Sequence, residues 1–188
     1  MNQQTNIAVF ASGSGSNFEA MLREETLLDK IRILICDKPG APVIERAERY
    51  RVPVLVLQPS DFKDKATYEQ HILTRLKEYE ISWIFLAGYM RLIGPVLLQS
   101  FAKRIVNIHP SLLPAFPGLD AVGQALEAGA EQTGVTIHYV DDGMDTGPII
   151  MQQHVSILPG DTKETLTTRL QEVEHLIYPE TIKTLIKQ

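Results

Sequence analysis

The sequence predicts an α/β domain: a mostly parallel, twisted sheet flanked by helices, with an antiparallel strand in its C-terminal half. Three observations carry that expectation. Short β-branched and aromatic runs alternate with helical patterns from the start of the chain, as they do where crossover helices join parallel strands. Two of the runs, 7–11 and 83–87, are apolar at every position, which suits strands covered on both faces. From residue 133 the pattern becomes strict alternation, and the next strand-like run follows a loop with no helix between, the arrangement of antiparallel neighbours.

Taken in order, residues 7–11 form the first strand, and Ser12-Gly13-Ser14-Gly15-Ser16-Asn17 turns directly into a helix from about Phe18. Glycines let the backbone approach a ligand, and the first helical N–H groups point outward as an anion site. A dinucleotide pyrophosphate, a phosphomonoester and a plain tight turn all fit such a loop. The dinucleotide fingerprint wants a third glycine where Phe18 stands, although Asp37 follows the second strand (31–36) where a ribose-binding acid belongs. A helix over 44–50, a strand over 52–57 and a helix over 66–79 come next. His71 reads as a solvated helix residue and Lys65 as a loop charge. The strand 83–87 ends at Gly88, so residues 88–93 lie outside a carboxyl end, where open α/β sheets bind ligands. Their apolar side chains suit the walls of a flat heterocycle's pocket or ordinary core packing.

The run 105–109 reads as a buried strand that stops at Pro110. Asn107 and His109 are two residues apart and leave that strand on the same side. An amide and an imidazole so paired suit stabilisation of an oxyanion on a carbonyl under attack. A core histidine and a turn asparagine are the ordinary alternative. Pro110, Pro114 and Pro117 with Gly118 stiffen the following loop, and a helix is expected over 120–130. Strands over 133–140 and 149–155 flank an acidic glycine loop, 141–148, too long for a tight hairpin. A carboxylate from that loop is placed to hold the imidazole and favour its protonated form. Asp141 and Asp142 read as solvated loop acids, His138 as a core or surface residue or, close to that loop, as a support for its site, and His154 as structural or exposed. Asp161 reads as the N-cap of the last helix with Glu164 completing a capping box. Leu166, Leu170, Val173 and Ile177 form its buried stripe, with Gln171 and Glu174 beside it. Pro179 is expected to kink or end the helix, with 182–186 a short continuation.

A chain of 188 residues with 44% apolar content supports one sizeable core, so a single domain over 1–188 is expected. The net charge of −5, without a dense Lys/Arg cluster, argues against nucleic acid as a partner. The lone Cys36 has no disulfide partner and fits a reducing compartment. No apolar run approaches the roughly 20 residues of a membrane span, and the polar residues 1–4 do not resemble a signal peptide. A cytoplasmic protein without metal, membrane or nucleic-acid partners is the expectation, as a monomer or homodimer.

N-I-H-P-S-L-L-P followed by D-D-G-M-D-T-G-P resembles the folate-dependent formyltransferases, and the similarity runs from S-G-S-G-S-N to E-H-L-I-Y-P. It is nearest to the branch that formylates glycinamide ribonucleotide in purine biosynthesis. The resemblance implies a Rossmann-like sheet, with a phosphate-binding half over 1–100 and a catalytic and folate-binding half over 101–188. It implies 10-formyltetrahydrofolate as co-substrate. Asn107, His109 and Asp145 are the implied catalytic residues, Asp145 raising the imidazole pKa. Gly15, Ser16, Asn17, Pro110, Gln171 and Glu174 are implied to bind the ribonucleotide, with Glu174 on its amine. Lys65, Leu86, Met90, Arg91, Leu92, Ile93, Leu97, Asn107, Asp141, Asp142 and Gly143 are implied for the folate. The Leu113–Pro114 bond is implied to be cis, while Asp37 stands where the family more often has asparagine. Relatives that add an RNA-binding domain, or deformylases that use water as acceptor and add a regulatory domain, are the alternatives.

Overall fold

In a computed structural model that describes residues 5–188, seven strands join one sheet. They are Asn6–Ala11 (β1), Ile31–Cys36 (β2), Val54–Val56 (β3), Ile81–Leu86 (β4), Ile105–His109 (β5), Gln132–Tyr139 (β6) and Ile149–Ser156 (β7). Their order is β3-β2-β1-β4-β5-β6-β7. Every pairing from β3 through β5 is parallel, β6 pairs antiparallel with β5, and β7 pairs antiparallel with β6. Only β6 therefore runs against the rest, as the alternating pattern predicted.

The helices are Ser16–Leu22 (α1), Glu25–Leu28 (α2), Pro42–Arg49 (α3), Lys65–Glu78 (α4), Pro95–Ser100 (α5), Ala121–Glu127 (α6) and Lys163–Leu185 (α7). They cover both faces because successive strand side chains point oppositely. Ile7, Val9 and Ala11 of β1 pack with Phe18, Met21, Val43, Leu166 and Leu170, while Ala8 and Phe10 pack with Tyr68, Ile72, Leu76 and Leu97. No helix among the described residues is long and apolar enough to cross a membrane.

Four local expectations are corrected. The last helix is capped by Thr162 with Thr165, whose side chains exchange bonds with each other's backbone N–H. Asp161 instead accepts from Leu158 N, Thr165 Oγ1 and both terminal nitrogens of Arg169, so its carboxylate is already occupied. Pro179 does not end α7, which continues to Leu185. The buried line of α7 is Leu166, Leu170, Glu174, Tyr178 and Ile182, with Val173 and Ile177 only partly covered. Glu174 thus sits in the buried row rather than beside it. Helices α2 and α5 were not expected, since each is short. The N-cap of α5 is Gly94, without a capping side chain; Glu69 of α4, only 2% exposed, accepts from Gly94 N and Leu97 N instead. That cap arrives from 25 residues away and cannot be read locally.

Candidate active site

In the strand order β1 has β2 on one side and β4 on the other, so the crevice outside their carboxyl ends is a topological switch point. A cleft of about 490 Å³ opens just beyond, at the ends of β4 and β5. Leu86, Met90, Arg91, Leu92 and Ile93 line it from the β4 side, Asn107, His109 and Pro110 from β5, and Asp141, Gly143 and Asp145 from the acidic loop. It draws on both halves of the chain.

The strand β5 aims Asn107 and His109 at this cleft, as their spacing predicted, and the antiparallel register sets His138 of β6 directly opposite Asn107. His138 Nδ1 lies 2.9 Å from the Tyr139 carbonyl, which only accepts, so Nδ1 carries the proton. Burial pushes the His138 pKa down and keeps the ring neutral. Its Nε2 is then a free acceptor, and Asn107 Nδ2 donates to it at 3.3 Å. This fixes which way the Asn107 amide faces. His138, 2% exposed, is a buried residue at the cleft that supports Asn107, the second of its two sequence expectations.

Asp145 lies between the two rings, its Oδ2 3.6 Å from His109 Nδ1 and its Oδ1 3.7 Å from His138 Nε2. The Gly118 N–H donates to Oδ2 at 2.8 Å. Its backbone is left-handed at φ 57, a conformation aspartate tolerates better than most residues. His109 Nε2 donates to the Phe116 carbonyl at 2.9 Å, so both ring nitrogens face protein partners in this conformation. Leu113–Pro114 is cis, as the resemblance implied, and in the loop carrying that carbonyl Phe116, Gly118 and Asp120 all have positive φ. Such conformations concentrate where the surrounding structure must hold a fixed shape.

A second group of predicted residues assembles outside the cleft lining. Gly15 at the start of α1 has φ 76, and a Cβ there would stand 2.5 Å from Val43 Cγ2. Both facts demand glycine. Arg46 donates through Nε to the Ser14 carbonyl at 2.7 Å and pairs with Glu19, fixing the loop from outside. No side chain caps the first N–H groups of α1, so Ser16 and Asn17 present a free helix start. Asn17 Nδ2 donates to Glu174 Oε2 at 2.9 Å, which joins the glycine loop to α7. Glu174 is 7% exposed, and burial raises its pKa to about 7 against the lowering effect of Asn17. Gln171 stands one turn before it, half-buried. One turn after it, Tyr178 donates to the Leu86 carbonyl at 2.7 Å and lies 3.3 Å from that of Val106. Helix α7 is thereby anchored to the end of β4 one turn beyond Glu174.

Some predicted contacts do not fall at the cleft. Lys65 is exposed outside the lining, its stem lying against Gly94 at the start of α5. Asp142 is exposed as well and does not line the cleft. Asp141 does line it, yet its Oδ1 accepts from Gly143 N and Thr146 Oγ1, so it shapes its own loop rather than being merely solvated. Leu97 is a core residue packed behind Ile93. Asp37 is committed to Ser12 and Arg91, which leaves no carboxylate for a dinucleotide ribose. His71 and His154 are exposed, as expected.

The chain matches the formyl transferase family over residues 5–182. It is 54% identical over 182 residues to a Bacillus subtilis phosphoribosylglycinamide formyltransferase, covering 95% of this chain and 93% of that protein. It is also 41% identical to a trifunctional purine biosynthetic protein adenosine-3 of Drosophila pseudoobscura, over 95% of this chain but only 14% of that protein. The crystal structure of glycinamide ribonucleotide transformylase 1 from Geobacillus kaustophilus superposes with a TM-score of 0.94 at 54% identity, over 98% of this chain and 100% of that one. The sheet order, the cleft beside its switch point and these likenesses agree: the chain belongs to the formyl transferase family.

Proposed function

We propose that this chain transfers the formyl group of 10-formyltetrahydrofolate to the primary amine of glycinamide ribonucleotide, a step of purine biosynthesis carried out in the cytoplasm. The observation that supports it most is the convergence of Asn107, His109, His138 and Asp145 at one cleft whose other wall is apolar. The reaction is an acyl transfer. The amine attacks the formyl carbon, a tetrahedral carbon bearing an oxyanion forms, and its collapse expels the folate nitrogen, which takes up a proton as the amine loses one.

Asn107 serves as the oriented donor to the developing oxygen charge. Its amide is already fixed by His138, so little reorganisation accompanies the reaction. His109 is the second donor: exchange of its bond to Phe116 frees Nε2 for the substrate, while Asp145 faces Nδ1 at 3.6 Å and orients the ring. The folate lies along Leu86, Met90, Arg91, Leu92 and Ile93, with Leu97 supporting that wall and Asp141 and Gly143 closing the far side. The ribonucleotide phosphate takes the N–H groups of Gly15, Ser16 and Asn17, and Glu174 with Gln171 and Pro110 directs its amine toward the formyl carbon. No nucleic acid, membrane or metal enters this reading, and the protein acts as a monomer or homodimer.

The decisive experiment follows folate absorbance with 10-formyl-5,8-dideazafolate as donor, with and without glycinamide ribonucleotide. Release of the deformylated folate only when the ribonucleotide is present is the expected result. Release with water alone would make the chain a deformylase, and no release in either case would sink the proposal.

A further inference from the structure

We infer that Asp37 is a positioning residue for the formyl-donor side of the cleft: by clamping Ser12 and Arg91 together, it holds the wall formed by residues 90–93 in its binding shape. The inference rests on the proposed formyl transfer and concerns a residue one strand removed from the cleft.

Asp37 follows β2, whose neighbours are β3 and β1 and not β4. Its side chain nevertheless reaches across the end of β1. Ser12 Oγ donates to Oδ1 at 2.5 Å, and Arg91 Nε donates to Oδ2 at 2.6 Å. The same Ser12 Oγ accepts the Met90 N–H at 2.9 Å. One carboxylate thus fixes both a backbone N–H and a side chain of two consecutive wall residues. That wall has no helix or strand of its own, since residues 87–94 are irregular, and Met90 and Leu92 are 66% and 52% exposed. A segment without ladder hydrogen bonds owes its shape to such side-chain anchors. The Asp37 side chain is itself only 6% exposed against 47% for that of Arg91, so the carboxylate is the fixed member of the pair and the guanidinium the one being held.

Ser12 also precedes the turn at Gly13, and its N–H donates to the Gly88 carbonyl at 3.1 Å. Asp37 therefore stands where the glycine loop and the donor wall meet, yet it is absent from the cleft lining. Its effect is indirect, transmitted through Ser12 and Arg91.

Asp37→Asn separates the two bonds, because an amide oxygen still accepts from Ser12 while the charge facing Arg91 is gone. Steady-state kinetics of the Asn variant should show the KM for the formyl donor raised about tenfold, the scale of one lost hydrogen bond to a charged group. The KM for the ribonucleotide and kcat should stay within about twofold. Calorimetric titration with 10-formyl-5,8-dideazafolate should give the same loss in Kd. Combining Asp37→Asn with Arg91→Ala should add nothing to the donor-side defect of Arg91→Ala alone, as coupled residues do not add. An unchanged donor KM and Kd in Asp37→Asn, or defects that multiply in the double variant, would overturn the inference while leaving the transferase reading intact. A loss of melting temperature with an unchanged donor Kd would assign Asp37 to stability alone and equally overturn it. A parent protein that neither binds the donor nor releases the deformylated folate would instead sink the transferase reading, and the inference with it.

Discussion

At the scale of the residue, chemistry here depends on which hydrogen-bonding capacity each side chain has left. His138 donates through Nδ1 to Tyr139 and keeps Nε2 for Asn107, so the Asn107 amide is oriented before substrate arrives. Losing one oxyanion donor costs about 10²–10³ in turnover, and Asn107→Ala should fall in that range with KM little changed, measured by steady-state kinetics. Asp145→Asn keeps an acceptor for the Gly118 N–H but removes the charge facing both rings, and its turnover loss should be at least as large. Glu174 gives a prediction in stability. Its pKa is raised by burial from the usual 4.5 to about 7, so the folded chain holds this proton more tightly than the unfolded one. The contribution of Glu174 to stability therefore declines as pH rises from about 4.5 through about 7 and is flat above. Glu174→Gln, whose amide oxygen still accepts from Asn17, should abolish this dependence. Relative to the parent it should gain on the order of 3 kcal/mol between pH 4 and pH 8, read by urea unfolding at the two pH values. A parallel pair of pH curves would remove the buried-carboxyl explanation.

At the scale of the element, two short pieces of structure depend on partners distant in sequence. The glycine loop is closed by Gly15 against Val43, and alanine there meets both a positive φ and the Val43 side chain. Gly15→Ala should cost about 1–2 kcal/mol from the backbone alone, seen as a lower urea midpoint, and raise the ribonucleotide KM more than the donor KM. Helix α5 starts without a cap of its own and relies on Glu69. Glu69→Ala leaves two N–H groups in a buried site without an acceptor, and about 2–3 kcal/mol of stability should go with them. Hydrogen exchange should localise that loss to residues 94–100. The last helix teaches the same lesson differently. Asp161 and Glu164 satisfy the capping pattern as written, but Arg169 and Leu158 occupy the Asp161 carboxylate. Thr162 and Thr165 then make the box.

At the scale of the molecule, α7 ties the glycine loop to the strand that leads into the cleft wall. Asn17 reaches Glu174, and Tyr178 one turn further on donates to the Leu86 carbonyl at the end of β4 and lies close to the Val106 carbonyl near the start of β5. Tyr178→Phe removes that link without creating a cavity. It should cost about 1–3 kcal/mol in urea unfolding because the buried Leu86 carbonyl loses its O–H donor, and lower kcat through the altered relation of Glu174 to the sheet.

The α/β class, the strand-by-strand alternation and the single reversed strand are legible in the residues alone, because periodicity and turn chemistry act within a few residues. The sequence also determined that Asn107 and His109 leave one strand end together, since a strand's side-chain period is two, and through the motif resemblance it named Asp145. The long-range partners came from packing: His138 opposite Asn107, Phe116 against His109, Asp37 bonded to Arg91, Glu69 on α5, and Glu174 inside the buried row. Each of these depends on which strand pairs with which and on how deeply a polar group is covered. Burial and long-range pairing are properties of the packed chain, and no local pattern encodes the loss of water that gives a carboxylate or an imidazole its altered proton affinity.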